Sequence, residues 1–332
     1  QRADDLMFEY QNRSGGTFTY RFVDPEADPS IARELQVTEY PTILFEATDS
    51  GVAFGLPVPP LAEQDLTTAL LIVTDTERKF VYFLDGHGEK DSAEVEAEAE
   101  AYGLAARGLL RDSYGIQTVN LSRSGAVPAD AAVLVIAGPK TDLTFAEFQT
   151  LMEWLRNGGR ALFLLDPDPP ESFLRLLEPW GLEVGKGTIV DRGSSLLGDA
   201  RSPLLQRSQY LPNVDITRLL DATLFPQAGA VRITVEEKKQ PPWIEYAPLA
   251  ASSLLSWTTE DPERNDFDGV LGDEAGPHFL AIAMRALSTV EVEPSGFNEE
   301  SNPLEAREAP VATSIVVFGD SDFAANTYYA YS

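Results

Sequence analysis

Four short polar motifs carry residue types able to do chemistry, and each follows a run of apolar residues. They are Asp85-Gly86-His87-Gly88-Glu89, Gly138-Pro139-Lys140, Asp166-Pro167-Asp168 and Gly319-Asp320-Ser321-Asp322. Imidazole, ammonium and carboxylate groups gathered in one place can move protons, hold a polar ligand or pair with a partner's charges. In an open parallel sheet, ligands bind beyond the carboxyl ends of the strands. Right-handed crossovers would bring all four motifs to one edge of such a sheet. The result would be a ligand or partner cleft lined by His87, Glu89, Lys140, Asp166, Asp320 and Asp322. The competing reading is architectural: glycines permit tight turns, and aspartates satisfy free amides at helix starts.

The residue inventory removes most specific chemistries. The chain has no cysteine, which excludes disulfides, thiolate zinc sites, iron–sulfur clusters and cysteine nucleophiles. Its two histidines, His87 and His278, cannot make a multi-histidine metal site. An all-carboxylate site for a hard cation stays open, but no metal, cofactor or catalytic residue is assigned. No G-x-S-x-G elbow is present, so a serine hydrolase would have to pair His87 with Ser321 or a carboxylate. Gly319-Asp320-Ser321 resembles the nucleophile block of the GDSL hydrolases, yet that block belongs near an N-terminus and needs a distant Asp-x-x-His, which is missing. No Walker loop or G-x-G-x-x-G motif follows a strand. With 25 basic against 53 acidic residues, the net charge of −28 argues against nucleic acid and anionic lipid as partners.

The elements that would position these motifs follow from hydrophobic periodicity. The 332 residues imply two domains at roughly 100–200 residues each. Residues 1–60 read as a small α/β unit. In it, Thr17–Val23 alternates as a strand, Ser30–Leu35 is a short helix, and Val37–Phe45 is a strand opened by Pro41-Thr42. That order resembles the centre of a thioredoxin-like fold stripped of its cysteines, with Tyr40–Pro41 a candidate cis bond.

A Pro-rich joint, Leu56-Pro57-Val58-Pro59-Pro60, precedes a second domain over 61–332. Continuous apolar runs at Phe80–Leu84, Ala131–Ala137, Arg160–Leu165 and Ser314–Phe318 read as buried parallel strands, with another near Gln117–Leu121. Between them, a helix is expected from Asp91-Ser92, burying Val95, Ala99, Tyr102, Ala106 and Leu109 and presenting Glu94, Glu96, Glu98 and Glu100 as a solvated face. A second helix starts with a Thr144/Glu147 capping box, buries Phe145, Phe148, Leu151, Met152 and Leu155, and stops at Asn157-Gly158-Gly159. Trp154 and Trp180 read as packing residues. The second domain is therefore α/β, mostly parallel, with a long irregular insertion at about 185–310.

Taken as a set, Glu63–Leu70, Val81–Glu89, Gly158–Pro167 and Val316–Asn326 resemble the GldG-like auxiliary component of gliding-motility-type ABC transporters. Gly86, Gly88, Ser321 and Asn326 fall in the two most specific motifs. The resemblance implies a three-layer, amidotransferase-like α/β fold without the cysteine nucleophile, akin to an intraflagellar-transport domain that serves assembly. It also implies a non-enzymatic protein on the extracytoplasmic side of the cytoplasmic membrane, anchored by segments outside this chain. Its partners would be the ABC permease and ATPase subunits, and other surface proteins. One departure is Asn213-Val214-Asp215-Ile216-Thr217, where the family pattern leads to a His-Pro pair before Ile-Thr. The alternatives are a module binding a small polar or carbohydrate ligand at the strand-end cleft, and a hydrolase using His87.

Overall fold

The structure, a computed structural model, describes residues 2–25, 27–28, 31, 35, 37, 41–48, 53–57, 63–74, 79–196, 198–211, 215–218, 220–287 and 312–329. The helix expected at Ser30–Leu35, the Tyr40–Pro41 bond and the Asn213-Val214 pair lie outside the described residues. The chain forms two compact units, residues 1–79 with 108–115, and residues 80–107 with 116–332.

The first unit holds helix α1 (Arg2–Arg13), an antiparallel hairpin of β1 (Thr42–Glu46) and β2 (Ala53–Pro57), and helix α2 (Glu63–Val73). Met7, Phe45, Leu66, Ala69 and Val73 form its core. This unit runs past the Pro-rich joint, since Leu66, Ala69 and Val73 of α2 share a core with Phe45 of the hairpin. Thr17–Val23 pairs with no described strand. An alternating pattern alone does not supply a partner, and here Phe22 is left exposed.

The second unit is built on one eleven-stranded sheet. β3 (Phe80–Leu84), β5 (Ala131–Ala137), β6 (Arg160–Leu164) and β16 (Ala312–Phe318) run side by side and parallel, with β4 (Gly115–Val119) outside β3. These are the strands expected from the apolar runs. Tyr82 and Leu84 face one core, where α5 (Phe145–Arg156) and α6 (Glu171–Leu177) pack Leu151, Leu155, Phe173 and Leu176 over Leu134, Ile136 and Phe163. Phe83 faces the other side and meets Tyr102 edge-on. Between β3 and β5 lie α3 (Gly103–Arg111) and the single turn α4 (Leu121–Ser124).

The stretch read as an irregular insertion completes the same sheet. β15 (Phe279–Leu287) pairs antiparallel with β16 and with β12 (Ile244–Ala251), and β11 (Gly229–Ile233), β7 (Leu182–Asp191), β13 (Ser256–Thr259) and β14 (Glu274–Ala275) continue outward. Its periodicity is hidden in the sequence by Gly185 and Gly187 in β7 and by Pro248 in β12. Pro248 is tolerated because β12 carries a bulge there and its ladder partner is β15 alone. A small sheet of β8 (Ser195–Leu196), β9 (Asp199–Gln206) and β10 (Ala222–Leu224) brings Leu205 to a second core with Leu249, Leu280 and Phe225.

Two expectations about helices are corrected. The helix read from Asp91 begins only at Gly103; residues 91–102 form successive turns. The Asp91 carboxylate accepts from Ala93 N, and Glu94 Oε1 accepts from Val95 N and Glu96 N, so local side chains occupy amides a helix would need. Glu94, Glu96, Glu98 and Glu100 therefore do not form a helix face. In α5 the capping box and the stop at Asn157 are as expected, but Phe145 is 79% exposed and not part of the core. As the first helical residue it precedes the turn that meets the sheet.

Candidate functional site

The loops that follow β3, β5, β6 and β16 all leave the carboxyl ends of neighbouring strands, which is where the polar motifs sit. Backbone hydrogen bonds knit them together: Lys90 N donates to Ala137 O, Gly138 N to Leu164 O and Leu165 N to Phe318 O. The sequence-predicted residues then separate into two groups that touch different partners.

The first group surrounds His87, which is 6% exposed. Its Nδ1 lies 3.3 Å from Glu89 Oε1 and its Nε2 lies 3.2 Å from Glu147 Oε2. The His87 amide donates to Glu89 Oε2 at 2.7 Å, and its carbonyl accepts from the amides of Lys140 and Thr141. Its ring meets Phe173 edge-on. Glu147 is the capping-box acid of α5, and it also accepts from Ser122 Oγ at 2.6 Å and Thr144 Oγ1 at 2.6 Å. Burial pushes its carboxyl up, but the hydroxyls of Ser122 and Thr144, the Thr144 amide and His87 outweigh that and hold it at about 2.

Gly86 and Gly88 make this arrangement possible. Both have positive φ, and a Cβ on Gly86 would lie 2.7 Å from Asn120 Nδ2. His87 is thus clasped between two carboxylates, each held by other bonds.

The second group joins Lys140, Asp166, Asp320 and Asp322. Lys140 Nζ pairs with Asp166 Oδ2 at 2.7 Å, and Asp166 Oδ1 accepts from Ser321 N at 2.9 Å. Asp322 pairs with Lys90 Nζ at 2.6 Å. Asp320 Oδ1 accepts from Asp322 N, while its Oδ2 is buried without a hydrogen-bond partner. Burial raises the Asp320 carboxyl well above the usual range, and the neighbouring Asp322 and Asp166 charges add to that. Asp166 is held low: Lys140 and Ser321 outweigh its burial. Tyr102 OH donates to Ser321 O at 2.6 Å, and burial followed by the three aspartates keeps its phenol well above the ordinary value.

Asn326 acts away from both groups. Its side chain accepts from Leu104 N and donates to the carbonyls of Glu94 and Glu96, so it fastens the 91–102 turns to the end of the chain. Glu147, Lys90 and Tyr102 were not among the candidates read from the sequence. Glu147 was visible only as a helix cap, and Lys90 only by standing next to Glu89. His278 is not part of this edge; its ring Nε2 donates to Glu274 O, and its amide donates to Ser252 Oγ.

Residues 78–331 match the model of a family described as an ABC-type uncharacterized transport system. The chain belongs to this family. Membership in this ABC-type transport family agrees with the auxiliary-component resemblance carried by the strand-end motifs. Comparison with curated proteins by sequence gives no match. Among solved structures, the chain is similar to the mmIFT52 N-terminal domain, at 15% identity and a TM-score of 0.47 over 75% of this chain and 90% of that one. It is also similar to a protein from Bacteroides uniformis described as ThuA-like, at 12% identity and a TM-score of 0.33 over 76% and 89%. Among the described residues, no helix is long and apolar enough to cross a membrane.

Proposed function

We propose that this chain is a non-enzymatic, extracytoplasmic auxiliary module of an ABC transport system, working through contacts with the permease and ATPase subunits or with other surface proteins. Family membership over residues 78–331 is the observation that carries the reading. The state of the one imidazole in the strand-end motifs supports the non-enzymatic part. His87 is buried between Glu89 and Glu147, each already committed to other bonds, and it has no open side from which to serve a substrate. Ser321, the remaining hydroxyl nucleophile, is fully buried as well. Lys140 is paired with Asp166 and Lys90 with Asp322, so neither ammonium group of these motifs stands unpaired at the edge.

The test is co-purification of the full-length gene product from its own membranes. Recovery of a permease and an ATPase is expected; recovery of neither overturns the reading. Hydrolysis of any ester, amide or glycoside panel substrate, lost in His87→Ala, would replace it with the hydrolase alternative.

A further inference from the structure

Three carboxylate oxygens, one each from Asp166, Asp320 and Asp322, lie within 4.8 Å of one another. Acidic clusters are common, and on their own they indicate nothing. Here two further features coincide with the cluster. Asp320 is 1% exposed, and its Oδ2 has no hydrogen-bond partner. Ser321 is fully buried, its amide donates to Asp166 Oδ1, and its Oγ makes no hydrogen bond of good geometry. A buried hydroxyl and a buried carboxylate oxygen left unpaired are each destabilising, and these two belong to adjacent residues.

The geometry points to a binding site for one hard divalent cation, of the calcium or magnesium class, ligated by Asp166, Asp320 and Asp322 with Ser321 Oγ as an added donor. Such ions take oxygen ligands at about 2.0–2.6 Å, so opposed ligands stand about 4–5 Å apart, the span these oxygens already have. The donor set has no nitrogen or sulfur, which disfavours zinc and copper. Lys90 pairs with Asp322 and Lys140 with Asp166, and among the described residues Asp320 has no basic partner. The cation would supply the missing positive charge, and the −28 net charge of the chain favours its approach. The Lys140 side chain is more than half exposed. The site lies wholly within the second unit and is independent of the transport reading.

The experiment uses the 332-residue chain stripped with a chelator, titrated separately with calcium and magnesium at constant ionic strength, and followed by calorimetry and thermal melting. Saturable one-site binding by at least one cation is expected, with a melting temperature that rises with its concentration. Asp322→Asn, at the more exposed ligand, should weaken that binding by at least about tenfold without loss of fold. Asp320→Asn, at the buried ligand, should also weaken the binding by at least about tenfold. Absence of saturable binding by both cations overturns the proposal. So does an equal shift from sodium chloride, or wild-type affinity in both variants.

Discussion

His87 shows how a residue with catalytic credentials can be spent on architecture. Both ring nitrogens face carboxylates, so truncation leaves Glu89 and Glu147 buried against each other with nothing between them. His87→Ala should lower stability by about 2–4 kcal/mol in urea unfolding; a change within about 0.5 kcal/mol would mean the clasp does not matter to the fold. Glu147 adds a pH dependence. Its folded value of about 2 lies below the ordinary 4.5, so its contribution is complete above about pH 4.5 and is lost as the pH falls through 2. The stability gap between wild type and Glu147→Gln, about 2 kcal/mol at neutral pH, should therefore close by about pH 2. A gap that stays constant across that range would refute the assignment. The gathering of four distant motifs on one edge was legible in the sequence, because strand ends can be read from apolar runs. Their division into a His87 clasp and an aspartate–lysine cluster was not legible, since it depends on Glu147 reaching down from the first turn of α5 and on Lys90 turning toward Asp322.

At the scale of elements, local side-chain bonds decide where periodicity misleads. The 91–102 segment has helical spacing of apolar residues, but Asp91 and Glu94 take up its amides, and Asn326 takes the carbonyls of Glu94 and Glu96. Asn326→Ala should speed amide exchange at Leu104 and in the preceding turns by about tenfold, since three hydrogen bonds go at once. Unchanged exchange there would show that the turns hold without the clasp. The parallel strands and the capped helix α5 could be read directly because burial on both faces leaves unbroken apolar runs and a capping box leaves a fixed spacing. β7 and β12 were hidden by glycines, a proline and bulges, which break the alternation of an antiparallel strand without breaking its pairing. Thr17–Val23 is the opposite case, an alternating pattern with no partner among the described strands.

At the scale of the molecule, the parallel half and the antiparallel half form one sheet, so the residues between β6 and β16 are a structural continuation of the fold and not an appendage. The strand-end edge is held together by ion pairs and backbone bonds, and the protein carries strong negative charge. Contacts with transport partners would then be made over the outer surface, with electrostatics setting their rate and salt dependence more than their final strength. The most direct measurement is a titration of the purified chain against the purified permease–ATPase complex in detergent. Saturable binding, weakened by added salt and equal for wild type and for any His87 variant that remains folded, is the expected result. No binding at any salt concentration would contradict the account.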